Sequence, residues 1–220
     1  MKKITILNVL FLITARLFAQ DCTEYMFMKK NNTIEQTQVS NGKSLGKTVF
    51  FVADVTTSNG TTTSTVVAEG FDKNGKSNMK NNVSFKCTGG TFIVDLSASG
   101  SQPNMKFTSG SMAYPASMKV GEHFDDFNAQ MEMTFGGKTT KADAKYTDRT
   151  VVDQESITTP AGTWTCFRIT YNIVVTVTGF NSPPLTTKTT EWYVPNLGVV
   201  QTQIGAEMGS MTLKVTSIKG

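Results

Sequence analysis

Residues 127–146 read FNAQMEMTFGGKTTKADAKY, and this stretch predicts an antiparallel β-hairpin. With a two-residue turn at glycines 136–137, apolar side chains meet on one face: Phe127 with Tyr146, Ala129 with Ala144, Met131 with Ala142 and Met133 with Thr140. The other face is polar and pairs Glu132 with Lys141 and Asn128 with Lys145. Because a shift of one residue would turn every side chain to the opposite face, this agreement fixes the register.

Two further hairpins follow from the same kind of pattern. Asn59-Gly60 is a signal for a type I′ turn, and it predicts these apolar pairs further along the two strands: Ala53 with Val66, Val52 with Val67 and Phe51 with Ala68. Residues 159–162 (TPAG) suit a type I turn. The strand after that turn alternates cleanly, with Phe167, Ile169, Tyr171 and Ile173 on one face and Trp164, Cys166 and Arg168 on the other.

The remaining sequence shows period-two alternation and no convincing helical periodicity. We therefore predict an all-β fold, a single antiparallel barrel-like or bent sandwich domain of about 10–12 strands. We expect the sheet to be closed or nearly closed, because exposed sheet edges invite aggregation. Residues 98–126 are irregular and contain several Gly and Pro residues, which predicts loops and short strands there.

The first 19 residues have the layout of a cleaved secretory signal peptide. Lys2 and Lys3 precede a short, mostly apolar stretch that ends at Ala19. We predict a signal peptide at 1–19, a single all-β domain at 20–220, and export to the periplasm or the cell surface. Residues 20–21 (QD) lie where a lipoprotein signal carries small neutral residues, so we expect no lipid on Cys22. No later stretch has the ~18 apolar residues that a transmembrane segment needs.

The charge balance argues against a nucleic-acid partner. The chain has 21 Lys and Arg residues and 17 Asp and Glu residues. The predicted signal segment holds Lys2, Lys3 and Arg16, so 18 basic residues belong to the mature domain. A nucleic-acid-binding domain usually presents a dense basic face, which this nearly neutral domain does not offer.

The three cysteines, Cys22, Cys87 and Cys166, allow one disulfide in an oxidising compartment. Three pairings exist, and the spacing does not choose among them. The alternative is that all three are small buried side chains without a covalent partner.

Three stretches of the second half resemble a known family: 114–121 (YPASMKVG), 158–169 (TTPAGTWTCFRI) and 191–200 (EWYVPNLGVV). They are similar to exported β-proteins of Gram-negative bacteria that form a domain-of-unknown-function family, sometimes labelled TapB-like. Residues 87–92 (CTGGTF) and Cys22 also fit the layout of that family. The resemblance implies an antiparallel barrel-like or sandwich fold in the cell envelope. It implies no activity and therefore assigns no catalytic residues.

The single histidine is the one candidate for a catalytic or metal site. His123 lies in the acidic segment 121–126 (GEHFDD), which could form a metal or general-base site. Zinc sites usually need several His or Cys ligands, and calcium loops have a different spacing. We therefore expect a solvated acidic turn, no metal and no cofactor. The sequence has no Gly-x-Ser-x-Gly elbow and no phosphate-binding loop. We expect no enzyme; a hydrolase is the remote alternative, since it requires His123 and a carboxylate to converge on a nucleophile.

Aromatic residues near a cation are the best candidates for a binding surface. The set consists of Trp164, Arg168, Trp192 and Tyr193, and it could form a platform for a glycan or an apolar ligand. The alternative is that both tryptophans fill the interior of the fold.

Two functions fit the sequence. The first is a non-catalytic envelope protein that binds or carries an apolar or glycan ligand, with a sizeable cavity lined by Phe, Met and Val and few charged groups. The second is a structural or protein-interaction module of the envelope, which would have a filled interior and a large apolar surface patch.

Overall fold

Fourteen β-strands account for most of the residues described by the computed structural model, which are 22–98, 101–102, 104–179, 183–206 and 209–220. The predicted signal peptide at 1–19 lies outside these ranges. The strands are β1 (Thr33–Ser40), β2 (Lys43–Ser58), β3 (Thr61–Asp72), β4 (Ser77–Thr88), β5 (Thr91–Asp95), β6 (Ser101–Gln102), β7 (Met105–Ser109), β8 (Ser111–Tyr114), β9 (Phe127–Phe135), β10 (Lys138–Thr159), β11 (Gly162–Val177), β12 (Leu185–Val194), β13 (Gly198–Ala206) and β14 (Gly209–Lys219). Two short 3-10 helices, Cys22–Glu24 and Met26–Met28, precede them.

The strands form one antiparallel sheet in the order β6-β7-β9-β10-β11-β12-β13-β14-β1-β2-β3-β4-β5-β8. The predicted all-β, antiparallel, nearly closed fold is confirmed. The number of strands is higher than the predicted 10–12. The additional strands are the short β6, β7 and β8, which lie within residues 101–114, where the sequence predicts loops and short strands.

The hairpin at 127–146 has the predicted register in every pair, from Phe127 opposite Tyr146 to Met133 opposite Thr140. The observed register of the hairpin at Asn59-Gly60 agrees with the predicted one only near the turn. Beyond it a β-bulge between Val52 and Asp54 shifts the pairing, so that Val52 faces Val66 instead of Val67. The predicted pairs at this end of the hairpin are wrong by one residue, because a bulge adds one residue to a single strand.

One kinked segment brings the two ends of the sheet together. Strand β7 pairs with β9, whereas β8 pairs with β5 at the other end of the sheet. Only Gly110 separates β7 from β8, and its φ is 116°. A Cβ atom at this position would lie 2.6 Å from the Cβ atom of Ala129. Glycine therefore lets a single segment change partners and nearly close the barrel.

The N-terminal residues cover one end of the barrel. Cys22 forms a disulfide with Cys87 on β4. The Tyr25 hydroxyl donates to the carbonyl oxygen of Gly90 at 2.8 Å, and its ring stacks on Phe92. The disulfide prediction is confirmed, and the structure selects one of the three pairings. Cys166 is free and buried.

Candidate functional site

An apolar cavity of about 420 Å³ lies inside the barrel. Strands from both halves of the sheet contribute side chains, which include Phe50, Phe85, Phe92, Phe107, Met26, Met112, Val94, Val199 and Val215. Ile34 and Val215 are fully buried, whereas Leu96, Ile204 and Leu213 are only partly buried. The cavity therefore has one closed end and one end that lies nearer to solvent.

A single carboxylate, Glu191 on β12, lies in the wall of this cavity. Its side chain is buried, and it accepts hydrogen bonds at 2.8 Å from the hydroxyls of Tyr114 and Tyr171. Burial raises the pKa of Glu191; the two hydrogen bonds and the charge of Arg149 oppose this increase without cancelling it. Burial next to this carboxylate also raises the pKa of Tyr114 and Tyr171 well above the ordinary value.

The buried guanidinium of Arg149 balances this carboxylate. The rings of Tyr114 and Tyr171 lie 5.6 and 6.0 Å from its Cζ atom, and the ring of Phe124 lies 5.1 Å from it. These distances are typical of cation–π contacts. One nitrogen, Nη2, donates to the carbonyl oxygen of Ala113 at 3.2 Å. Tyr114 and Tyr171 thus contact the cation with their rings and the anion with their hydroxyls.

Two further tyrosines, Tyr193 and Tyr25, hold Tyr114 in place behind the cavity wall. The ring of Tyr193 stacks on that of Tyr114 with centroids 4.9 Å apart. The hydroxyls of Tyr193 and Tyr25 lie 3.0 Å apart, and Tyr25 is held by Gly90 as described above. These contacts fix the position of Tyr114 and therefore of its bond to Glu191.

Thr189 adds a polar atom beside Glu191. The two residues lie two positions apart on β12, so their side chains share a face, and both line the cavity. Thr189 is 1% exposed, and its Oγ1 atom has no hydrogen-bond partner among the described residues. Buried hydroxyls normally have such a partner.

Comparisons with known proteins agree with this architecture. The family model described as DUF3108-like matches residues 30–211. The chain belongs to the DUF3108-like family. The resemblance to a family of unknown function is therefore confirmed at that level. A comparison with curated proteins found no match.

Two solved structures have the same fold as this DUF3108-like protein. The first is a candidate lipoprotein from Parabacteroides distasonis ATCC 8503, with 22% identity and a TM-score of 0.75 over 91% of this chain and 100% of the other. The second is a candidate exported protein with a YmcC-like fold from Bacteroides fragilis NCTC 9343, with 18% identity and a TM-score of 0.71 over 87% of this chain and 97% of the other.

The four predicted binding residues do not form one surface in this DUF3108-like protein. Arg168 and Trp192 lie opposite each other on β11 and β12, but Tyr193 points to the other face, into the interior. Trp192 is buried, and its Nε1 atom donates to Glu155 at 2.9 Å. Arg168 forms ion pairs with Glu155 and Asp153. The binding role of this set stays a prediction.

Trp164 lies apart from this network, near the turn between β10 and β11. It is opposite Ile157, and its ring covers Gly162, where a Cβ atom would lie 2.9 Å from it. Cys166 lies two residues further along the same face. Its burial, together with the charge of Glu155, raises the pKa of its thiol to about 11. A thiol with this pKa is a poor nucleophile at neutral pH.

His123 is exposed and lines a second pocket, of about 340 Å³, with Ser111, Asp125 and Asp126. Its Nδ1 atom is hydrogen-bonded to Thr150 Oγ1 at 2.9 Å. A serine hydrolase would use one ring nitrogen for a carboxylate and the other for the nucleophile. In this protein the Nδ1 atom, to which such a carboxylate would bind, is instead hydrogen-bonded to the hydroxyl of Thr150. Within the described part of the chain, no cluster of three His, Cys, Asp or Glu side chains is placed to hold a metal.

The Cys22 sulfur is bonded to Cys87, and the expectation that Cys22 carries no lipid stays a prediction. Across residues 22–220, apart from the gaps given above, no helix has the length and apolarity required to cross a membrane.

The polar centre of the cavity was not predicted from the sequence. The residues concerned are Glu191, Tyr114, Tyr171, Arg149 and Thr189. One signal was available: in 187–193 (TKTTEWY), alternate residues share a face, so Thr189 and Glu191 lie on the same side of the strand as Tyr193.

Proposed function

We propose that this protein is an exported, non-catalytic β-domain that binds or carries an apolar ligand in its interior cavity. The observation that carries the proposal is the cavity of about 420 Å³ with its mainly apolar lining. Binding sites for small molecules usually measure roughly 300–1,000 Å³ and have apolar walls with a few polar groups. The cavity with Glu191 and Thr189 has this composition.

The lining favours an apolar ligand over a glycan. Sugars need many hydrogen-bond partners, whereas most of the wall consists of Phe, Met, Val, Leu and Ile side chains. The cavity also favours a ligand-binding protein over a structural or protein-interaction module, because such a module would have a filled interior.

Export to the periplasm or the cell surface is part of the proposal. The basic and apolar pattern at 1–19 supports it, and so does the Cys22–Cys87 disulfide, since disulfides persist mainly in oxidising compartments. The relatives described as candidate exported or lipoproteins have the same fold. We also propose that residues 20–220 form a single domain and that the TapB-like designation applies to this chain.

A non-catalytic role fits the chemistry of the ionisable side chains. His123 bonds to Thr150, and the buried Glu191 is already engaged by two tyrosines. The thiol of Cys166 is buried and has a raised pKa. None of these groups is arranged as an activated nucleophile with its base.

Titration with N-phenyl-1-naphthylamine, whose fluorescence increases in apolar surroundings, tests ligand binding. We expect saturable binding by the wild type and a large loss for Val94→Trp, because Val94 lines the cavity. Val152→Trp is the matched control, since Val152 is 38% exposed on β10. Equal binding by all three proteins, or no saturable binding by the wild type, would contradict the proposal.

A further inference from the structure

The polar atoms of the cavity have unused hydrogen-bonding capacity. An ionised carboxylate offers about four acceptor sites. The hydroxyls of Tyr114 and Tyr171 occupy one site on each oxygen of Glu191. Further acceptor sites therefore remain on a carboxylate that lines the cavity.

Thr189 supplies the complementary group. Its buried Oγ1 atom has no partner among the described residues, and a hydroxyl can both donate and accept. Because Thr189 and Glu191 share a face of β12 and both line the cavity, one small polar group placed between them lies next to both side chains. Gln36, Tyr146 and Thr202 also line the cavity, and Thr202 lies directly opposite Glu191 on β13, so the polar part of the wall is densest around Glu191. The head of a ligand is therefore directed to this part of the wall.

The charges select the kind of head group. An anionic head would lose its hydration and would meet a carboxylate, not a cation, in the cavity lining. A cationic head gains little, because Arg149 already balances this carboxylate, and it would lose its own hydration. A neutral hydroxyl can donate to Glu191 and accept from Thr189 without either cost.

We infer that the cavity selects amphiphiles with an apolar chain and an uncharged hydroxyl head, bound between Glu191 and Thr189. This inference rests on the proposed function, because it requires an apolar chain to enter the cavity. It also assigns Thr189 and Glu191 as the residues that determine specificity.

Displacement of bound N-phenyl-1-naphthylamine by three ligands with the same chain tests the inference: 1-dodecanol, dodecyl methyl ether and laurate. The ether lacks the donor, and laurate carries the negative charge. We expect dodecanol to bind about tenfold more tightly than either, which is the effect of one hydrogen bond to a charged group. Thr189→Val preserves the shape of the side chain, and we expect it to reduce this preference severalfold while probe binding persists.

Thr187→Val is the matched control, because Thr187 lies on the same strand and face but outside the cavity lining. Glu191→Gln is a second variant and should also reduce the preference for dodecanol over laurate. If the probe binds but the three ligands compete equally, or laurate competes best, the inference is wrong and the proposed function stands. If the probe does not bind to the wild type, the proposed function itself fails.

Discussion

The Tyr114 hydroxyl donates a 2.8 Å hydrogen bond to Oε2 of Glu191, 77 residues further along the chain. Tyr114 lies on β8, at the end of the sheet, and Glu191 lies on β12, which is not a neighbour of β8. The bond therefore crosses the barrel interior and ties the closing strand to another wall. The same carboxylate is the polar centre of the cavity, so the group that supports closure of the fold is also the one to which we assign ligand recognition.

Replacing Glu191 should strongly destabilise the fold. Glu191→Ala removes the acceptor of two buried hydroxyls, and each buried donor left without an acceptor costs about 1–3 kcal/mol. Glu69→Ala is the control, because Glu69 pairs with the exposed Lys80 and such pairs contribute about 0–1 kcal/mol. Urea denaturation measures both. A loss below about 1 kcal/mol for Glu191→Ala would show that this centre does not stabilise the barrel.

The protein should lose stability in alkali as the tyrosines of the unfolded chain ionise. Burial, with a smaller contribution from Glu191, raises the pKa of Tyr146 to about 12 from 10.0. The folded state keeps this proton at a pH where the unfolded chain releases it. The contribution of Tyr146 is thus fully present below about pH 10 and decreases as the pH rises to about 12, by at most about 1.4 kcal/mol per pH unit.

Tyr146→Phe removes the ionisable hydroxyl of Tyr146 and leaves the lysines unchanged. The difference between the variant and the wild type therefore gives the contribution of Tyr146 alone. Between about pH 9.5 and pH 11.5, the free energy of unfolding should fall less steeply in the variant than in the wild type. Parallel pH profiles for the two proteins would contradict the raised pKa.

The disulfide should stabilise the fold substantially. It joins residues 65 apart and ties the N-terminal cover to β4. For a loop of this length, constraint of the unfolded chain contributes about 4 kcal/mol. We expect Cys22→Ala to lower the melting temperature and to remove the effect of dithiothreitol on it. Cys166→Ala should keep the sensitivity to dithiothreitol, since Cys166 has no disulfide. Three free thiols on alkylation of the exported protein would rule the disulfide out.

Gly110 should be essential for closure of the sheet. Gly110→Ala places a Cβ atom 2.6 Å from that of Ala129 at a φ of 116°, so either β7 or β8 has to move. Gly121→Ala is the control: its φ is 87°, but no atom lies within 4 Å of the added Cβ. Both variants carry backbone strain of about 1 kcal/mol, and only Gly110→Ala adds the clash. Equal melting temperatures would mean that the close approach to Ala129 is unimportant.

Local patterns predict the hairpins well and the bulges poorly. The pairs at 127–146 depend on a short turn and strict alternation, which are visible in twenty consecutive residues. The bulge near Ala53 adds one residue without disturbing the apolar character of the strand, so the sequence alone does not reveal it. It places Phe50 in the cavity and leaves Phe51 42% exposed.

The candidate site was harder to predict, because long-range contacts create it. In the sequence, Glu191 resembles any polar residue of a strand. Its special environment arises only in the folded chain, where Tyr114 and Tyr171 contact it. Arg149 lies within an irregularity between Thr147 and Thr150, which simple alternation does not predict. One point was accessible in advance: Trp192 and Tyr193 are consecutive in a strand, so they face opposite sides and do not share a binding surface.

The most direct test of the account is to locate an apolar ligand in the barrel by NMR with labelled methionine methyl groups. Met26 and Met112 line the cavity, whereas Met79 lies in a different pocket. With N-phenyl-1-naphthylamine bound, we predict nuclear Overhauser effects from the aromatic protons of the ligand to the methyl groups of Met26 and Met112, and none to Met79. Contacts to Met79 alone, or unchanged Met26 and Met112 signals at saturating ligand, would contradict ligand binding inside the barrel.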